Sequence, residues 1–159
     1  MILISDANVL IDLGLVNGLT VLTQLTKVEV FDVIFDECTS PGQLQNQIIS
    51  AGIQKIEVTH DWLRSSTAYH QGSLSSQDAL CLYYAKNFSR VLITNDKPLR
   101  TRSQQQGIKI HGTLWLIHQA YEQKILSSNK LCAWISTLIQ HGSRMPPQEV
   151  VKLRALMDC

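Results

Sequence analysis

Apolar positions along the chain alternate between two spacings. Ile2, Leu3 and Ile4 form a short apolar run with Ser5 that stops at Asp6. Val9, Leu10, Leu13 and Val16 then recur at helical spacing, so Asp6 falls at a strand-to-helix junction. Gly14 and Gly18 predict a break into two short helices. A second strand is expected over 28–31, followed by Asp32 as the cap of a helix that carries Glu37 and ends at Pro41-Gly42. A helix over 43–51 closes at Gly52, and residues 53–58 read as a third strand. Helices follow over about 60–70 and from Ser75 through Ala85. The β-branched run 90–94 is the clearest strand, and it ends at Asn95-Asp96. Pro98 suits the first turn of a helix that stops before Gly107. A fifth strand over 108–110 precedes helices near 114–124, 128–140 and 148–157.

Strands alternating with helices define an α/β sandwich with a mainly parallel sheet. The 159 residues suffice for one domain, with a helical C-terminal extension over about 121–159. That extension can serve as a cap or a partner-binding surface, and its amphipathic stretch Val150, Val151, Leu153, Leu156 and Met157 suits core packing ahead of partner docking. A composition 45% hydrophobic and 17% charged builds a core and excludes wholesale disorder. No apolar stretch approaches the roughly 20 residues that span a bilayer, and Asp6 and Asp12 interrupt the apolar start, against a secretory signal. Cys38, Cys81, Cys132 and Cys159 form no C-x-x-C pair, so four reduced thiols in a cytoplasmic protein are expected. The net charge of +1 conceals an asymmetry. Residues 1–80 hold nine acids and three Lys/Arg, and residues 81–159 four acids and eleven Lys/Arg. Such a split fits an acidic site beside a basic rim.

Ligands of open parallel sheets bind outside the carboxyl ends of the strands. Asp6 and Asp96 sit there, after the first and fourth strands. Glu37 lies about six residues past the second strand, and Asp78 in the first turn of the helix leading to the fourth. Converging carboxylates need a compensating cation. Oxygen-only ligands suit Mg2+ or Mn2+ rather than zinc. Such ions activate water and steady a leaving oxygen on phosphorus, so the pattern points to phosphodiester hydrolysis. Each acid also has a structural explanation: Asp6 and Asp96 as helix caps, Asp78 in the capping box Ser75-x-x-Asp78, Glu37 on a solvated face. Asp12 reads as a helix-surface residue and Asp36 as solvated.

The motifs resemble those of PIN-domain ribonucleases, especially the small prokaryotic toxin-type (VapC-like) members. Ile4-Ser5-Asp6-Ala7-Asn8-Val9-Leu10-Ile11 matches the first motif, Val33-Ile34-Phe35-Asp36-Glu37 the second and Leu74-Ser75-Ser76-Gln77-Asp78-Ala79 the third. Val91-Leu92-Ile93-Thr94-Asn95-Asp96-Lys97-Pro98-Leu99-Arg100 matches the fourth. Gly107-Ile108-Lys109-Ile110-His111-Gly112-Thr113-Leu114 is similar to the family's fifth strand and turn. The likeness covers about residues 2–120. Some members carry a fifth acid three residues past the fourth, where this chain has Leu99. The resemblance implies a five-stranded sheet in the order 3-2-1-4-5. It also implies a metal-dependent endoribonuclease with Asp6, Glu37, Asp78 and Asp96 as catalytic and Mg2+- or Mn2+-binding residues. A toxin-type system further implies a homodimer and an antitoxin protein that blocks the acidic groove.

Within that reading, Asp6 and Asp96 anchor the ion, and Asp78 and Glu37 complete its shell. Asn8 is expected to orient Asp6, and Thr94 to orient Asp96. Lys97 and Arg100 follow the acids directly and are candidate RNA phosphate contacts. The five histidines show no metal-ligand spacing, and Trp62, Trp115 and Trp134 read as core or interface anchors. Two rivals stand. A phosphatase or receiver domain lacks support, since Asp6-Ala7-Asn8 is not D-x-D and 56–60 offers no strand-end Asp. A non-catalytic PIN-fold module that binds RNA or protein is the alternative function.

Overall fold

Residues 1–159 are described by a computed structural model. The strands are β1 (Ile2–Ser5), β2 (Lys27–Phe31), β3 (Gln54–Ile56), β4 (Val91–Ile93) and β5 (Ile110–His111). The helices are α1 (Ala7–Leu15), α2 (Leu19–Leu25), α3 (Asp32–Phe35), α4 (Leu44–Ser50), α5 (His60–Ser66), α6 (Ser76–Asn87), α7 (Lys97–Gln105), α8 (Thr113–Glu122), α9 (Ser128–Gln140) and α10 (Pro147–Leu156). All strand pairs are parallel, in the order β3-β2-β1-β4-β5. Helices cover both faces of the sheet, so the central strands are apolar almost throughout. Leu3, Ile4, Val30, Phe31, Leu92 and Ile93 are wholly buried.

The element pattern follows the hydropathy rhythm, with four local differences. Gly14 does not end a helix. It lies inside α1, where its missing Cβ admits Leu44: a Cβ there would stand 2.7 Å from Leu44 Cδ1. Gly18 does mark the second helix, as the N-cap of α2, and seats the Trp134 ring, 2.8 Å from where its Cβ would be. The helix after β2 is a single turn that stops before Asp36, so Glu37 lies in the following loop rather than on a helix. The third and fifth strands shrink to three and two residues at the sheet edges.

One charged residue lies inside the sheet: Glu29 on β2, 6% exposed. Arg90 Nε lies 2.7 Å from its Oε1, and the Tyr84 hydroxyl donates to the same oxygen at 2.9 Å. A buried carboxylate is tolerated there because its charge and lone pairs are matched.

The C-terminal helices belong to the main core. Leu131, Trp134, Ile135, Leu138, Val150, Leu153 and Met157 are buried in the same cluster as the strands. The expectation of four reduced thiols is corrected: Cys132 on α9 and Cys159 form a disulfide, with Cα atoms 6.1 Å apart, while Cys38 and Cys81 are free and buried. The fold brings together two cysteines 27 residues apart whose sequence spacing gives no hint of pairing. No single helix is long and apolar enough to cross a membrane.

Candidate active site

The site forms where β1 and β4 end side by side. The backbone N–H of Asp6 donates to the Ile93 carbonyl at 3.3 Å, which places Asp6 against the end of β4. Asp6 caps α1, with its Oδ1 accepting from the Val9 N–H at 3.0 Å. Its Oδ2 accepts from the Thr94 hydroxyl. Thr94 Oγ1 in turn accepts from the Asp96 backbone N–H at 3.1 Å. Asp96 caps α7 through the Leu99 N–H at 3.0 Å, ahead of Pro98 in the first turn. Asp78 closes the capping box of α6: its N–H donates to Ser75 Oγ, and its Oδ2 accepts from the Ser75 N–H. Asp6 and Asp96 as N-caps and Asp78 in its capping box are thus each held at a helix start by backbone N–H groups.

Asp6 is 8% exposed, and burial pushes its carboxyl up to about 6 from an ordinary 3.8. The Thr94 and Val9 hydrogen bonds oppose that rise, and the charges of Asp78 and Asp96 add to it. Asp78 and Asp96 thus stand near enough for their charges to act on Asp6. Glu37 stands further out, exposed in its loop, where Gln77 Nε2 donates to its Oε1 at 2.9 Å. Since Gln77 adjoins Asp78 on α6, that bond ties the second-motif loop to the rim of the site.

Asn8 is exposed and makes no hydrogen bond to Asp6; the orienting role belongs to Thr94, which serves the Asp6 carboxylate and the Asp96 backbone rather than the Asp96 carboxylate. Arg100 is half-buried and donates to the Thr94 carbonyl at 3.3 Å, so it braces the end of β4. Lys97 is exposed on α7 and lines a shallow cavity with Ser73 and Arg102. Leu99, where some relatives have an acid, is wholly buried.

No three histidine, cysteine, aspartate or glutamate side chains approach closely enough to hold a metal ion. The donor chemistry nevertheless fits a divalent cation. None of the chain's ion pairs involves Asp6, Glu37, Asp78 or Asp96. The buried Asp6 thus faces two like charges with no basic partner. A carboxylate has about four lone-pair positions, so one capping bond leaves Asp78 and Asp96 an entire oxygen each.

A cavity of about 550 Å³ opens beside the acids. Asn8, Asp12, Asn95 and Asp96 line one wall, and His141, Gly142, Ser143 and Arg144 from the α9–α10 loop line the other. Asp12 is not a free surface acid. It is half-buried and accepts from the Ser143 hydroxyl at 2.6 Å, and burial raises its carboxyl pKa. Sequence reading missed this wall because Ser143 and Asp12 are 131 residues apart. The only signal was the surplus of basic residues in the second half of the chain. Trp115, by contrast, stacks on His111 with ring centroids 4.0 Å apart, and Trp62 packs on Tyr84 and Phe88.

A parallel 3-2-1-4-5 sheet with acids at the ends of its central strands defines the PIN class. The chain matches the DUF3368 family model, a PIN domain, over residues 2–158, and it belongs to that family. Among solved structures it is similar to a PilT N-terminus domain protein of the archaeon Sulfolobus solfataricus P2. That match has a TM-score of 0.59 and 14% identity, over 77% of this chain and 95% of that one. It is also similar to PAE2754 of Pyrobaculum aerophilum, with a TM-score of 0.56 and 16% identity, over 74% and 88% of the two chains. No curated protein matches the sequence. Nuclease chemistry is general to the PIN fold.

Proposed function

We propose that this PIN domain is a divalent-metal-dependent endoribonuclease. The reading rests on one observation: Asp6 is a buried carboxylate without a basic partner, in the field of Asp78 and Asp96, at the strand ends where an open α/β sheet takes its ligand. Asp6, Asp78 and Asp96 would hold Mg2+ or Mn2+, with Glu37 at the rim. When bound, such an ion offsets charge on a phosphoryl group and lowers the pKa of water. The chain's own contribution is rigidity. Thr94 and the Val9 N–H fix Asp6, the Ser75 and Leu99 N–H groups fix Asp78 and Asp96, and Gln77 holds Glu37. Lys97 is a candidate contact for RNA phosphates near the rim.

The proposal extends to a cytoplasmic toxin that acts as a homodimer and is silenced by an antitoxin protein. A second reading, a non-catalytic module that binds RNA or protein, is favoured by the lack of any three carboxylates close enough to grip an ion.

Cleavage of single-stranded RNA with Mn2+, by the intact chain and by Asp6→Asn and Asp96→Asn, tests the nuclease reading. Loss of roughly a hundredfold or more in both variants, with circular dichroism unchanged, is the expected result. Calorimetric Mn2+ titration separates the two readings. Absence of binding together with no RNA turnover would leave the module, whereas chelator-insensitive turnover would overturn the metal dependence and the module alike.

A further inference from the structure

The cavity beside Asp96 has two unlike walls. The wall from the α/β core carries Asp12 and Asp96; the wall from the α9–α10 loop carries His141 and Arg144. Arg144 is exposed and takes part in no ion pair. His141 accepts nothing at Nδ1, because that nitrogen faces the Thr137 carbonyl at 2.9 Å and must donate to it, which leaves Nε2 free. Between them Gly142 turns the chain at φ +79°, a conformation that side chains disfavour. The loop is fastened to α1 by the Ser143–Asp12 hydrogen bond, a contact across nearly the whole sequence. Two features therefore coincide at one end of the acidic site: an uncommitted guanidinium, and a polar latch that holds its loop in place. A guanidinium matches phosphate geometry, and phosphate contacts position a nucleic acid without reading its sequence.

We propose that the 141–144 loop is the phosphate-binding wall of the substrate groove. Arg144 contacts a backbone phosphate beside the one held at the acids, and the Ser143–Asp12 bond positions the loop. This rests on the nuclease reading above and adds to it the part of the C-terminal extension that grips RNA. The acids repel the RNA backbone when no cation is bound; the opposite wall supplies the attraction that seats the strand. Arg100, committed to the Thr94 carbonyl, is less free for that task than Arg144.

The test is fluorescence anisotropy of a labelled single-stranded RNA with the full chain in EDTA, over a range of salt concentrations, beside Mn2+-dependent turnover. Arg144→Ala is expected to weaken binding about tenfold and to flatten the plot of log affinity against log salt by about 0.7, one phosphate's worth for a single strand. Arg144→Lys retains the slope. Turnover loss falls on KM more than on kcat. Ser143→Ala gives a smaller loss of affinity, and combining it with Arg144→Ala adds nothing further, since the latch acts through the arginine. Thermal melts show whether each variant is folded. An Arg144→Ala chain that is folded and binds with wild-type affinity and slope overturns the inference and leaves the nuclease reading intact. Arg144-dependent binding by a chain that cleaves no RNA keeps the wall and removes the nuclease reading. A wild type that binds no RNA in EDTA ends the wall, and one that also cleaves none with Mn2+ ends both.

Discussion

Asp6 shows what a single buried carboxylate does to a small domain. Folded, its carboxyl sits at about 6; unfolded, it returns to about 3.8. Between those values the folded chain binds the proton and the unfolded chain does not, so stability falls as pH rises. The full contribution is present below about pH 4 and is gone above about pH 6. The gap corresponds to about 3 kcal/mol. Asp6→Asn removes the ionisation and is expected to stabilise the chain at pH 7.5 by about 1–3 kcal/mol, less whatever its amide loses against Thr94. The gain shrinks to about a third of that at pH 4.5. Urea denaturation at the two pH values measures it, and a variant less stable than wild type at pH 7.5 would contradict the burial argument. Stability held back at a working site is a common exchange. Asp6 and Asp96 were readable because they follow strand ends, and Glu37 and Asp78 because they fall in the second and third motifs. Their partners were not: Thr94 was legible as a neighbour of Asp96, but its bond to Asp6 spans 88 residues and depends on the register of β1 against β4.

At the level of elements, hydropathy rhythm located nearly every helix and strand, because burial on both sheet faces and amphipathic helices leave a strong periodic trace. It failed where a glycine serves packing instead of chain reversal. Gly14 continues α1 because nothing in the helix itself opposes it, and the side chain it lacks is the space Leu44 fills. In an exposed helix Gly→Ala would stabilise by about 1 kcal/mol. Here the added methyl meets a wholly packed Leu44, so Gly14→Ala is expected to destabilise by about 1–3 kcal/mol. Leu44→Ala costs stability alone, yet in the double variant the two effects are less than additive, since each relieves the other. Chemical denaturation of the four proteins supplies the cycle; strict additivity would show that the two side chains do not compete. Glu37 illustrates the converse limit. A one-turn helix is too short for periodicity to resolve, so its place in a loop emerged only with the Gln77 contact.

For the molecule as a whole, the instructive part is the C-terminal extension. Its apolar spacing allowed a cap, a docking surface or core packing, and core packing is what Val150, Leu153 and Met157 do. Trp134 fills the space over Gly18, Ser143 latches Asp12, and Val150, Leu153 and Met157 complete the common core. One of the eleven Lys/Arg in the second half of the sequence, Arg144, thus shares a cavity with Asp12 and Asp96 of the core. The disulfide between Cys132 and Cys159, 27 residues apart, fastens the chain end across α10 to α9. Closing a loop of that size restricts the unfolded chain by about 3 kcal/mol. For a chain of this length, such a loss lowers the melting temperature by about 6–12 °C. Oxidised protein is therefore expected to melt that much above the same protein in dithiothreitol, and Cys132→Ser to melt at the lower temperature in both. Because the core residues of α9 and α10 hold the extension without the bond, the reduced chain remains cooperatively folded and keeps the cavity wall. Reduction should then leave RNA affinity near its oxidised value while moving the melt. A reduced chain that loses RNA binding at temperatures well below its melt would show instead that the thiol state sets the position of the 141–144 loop.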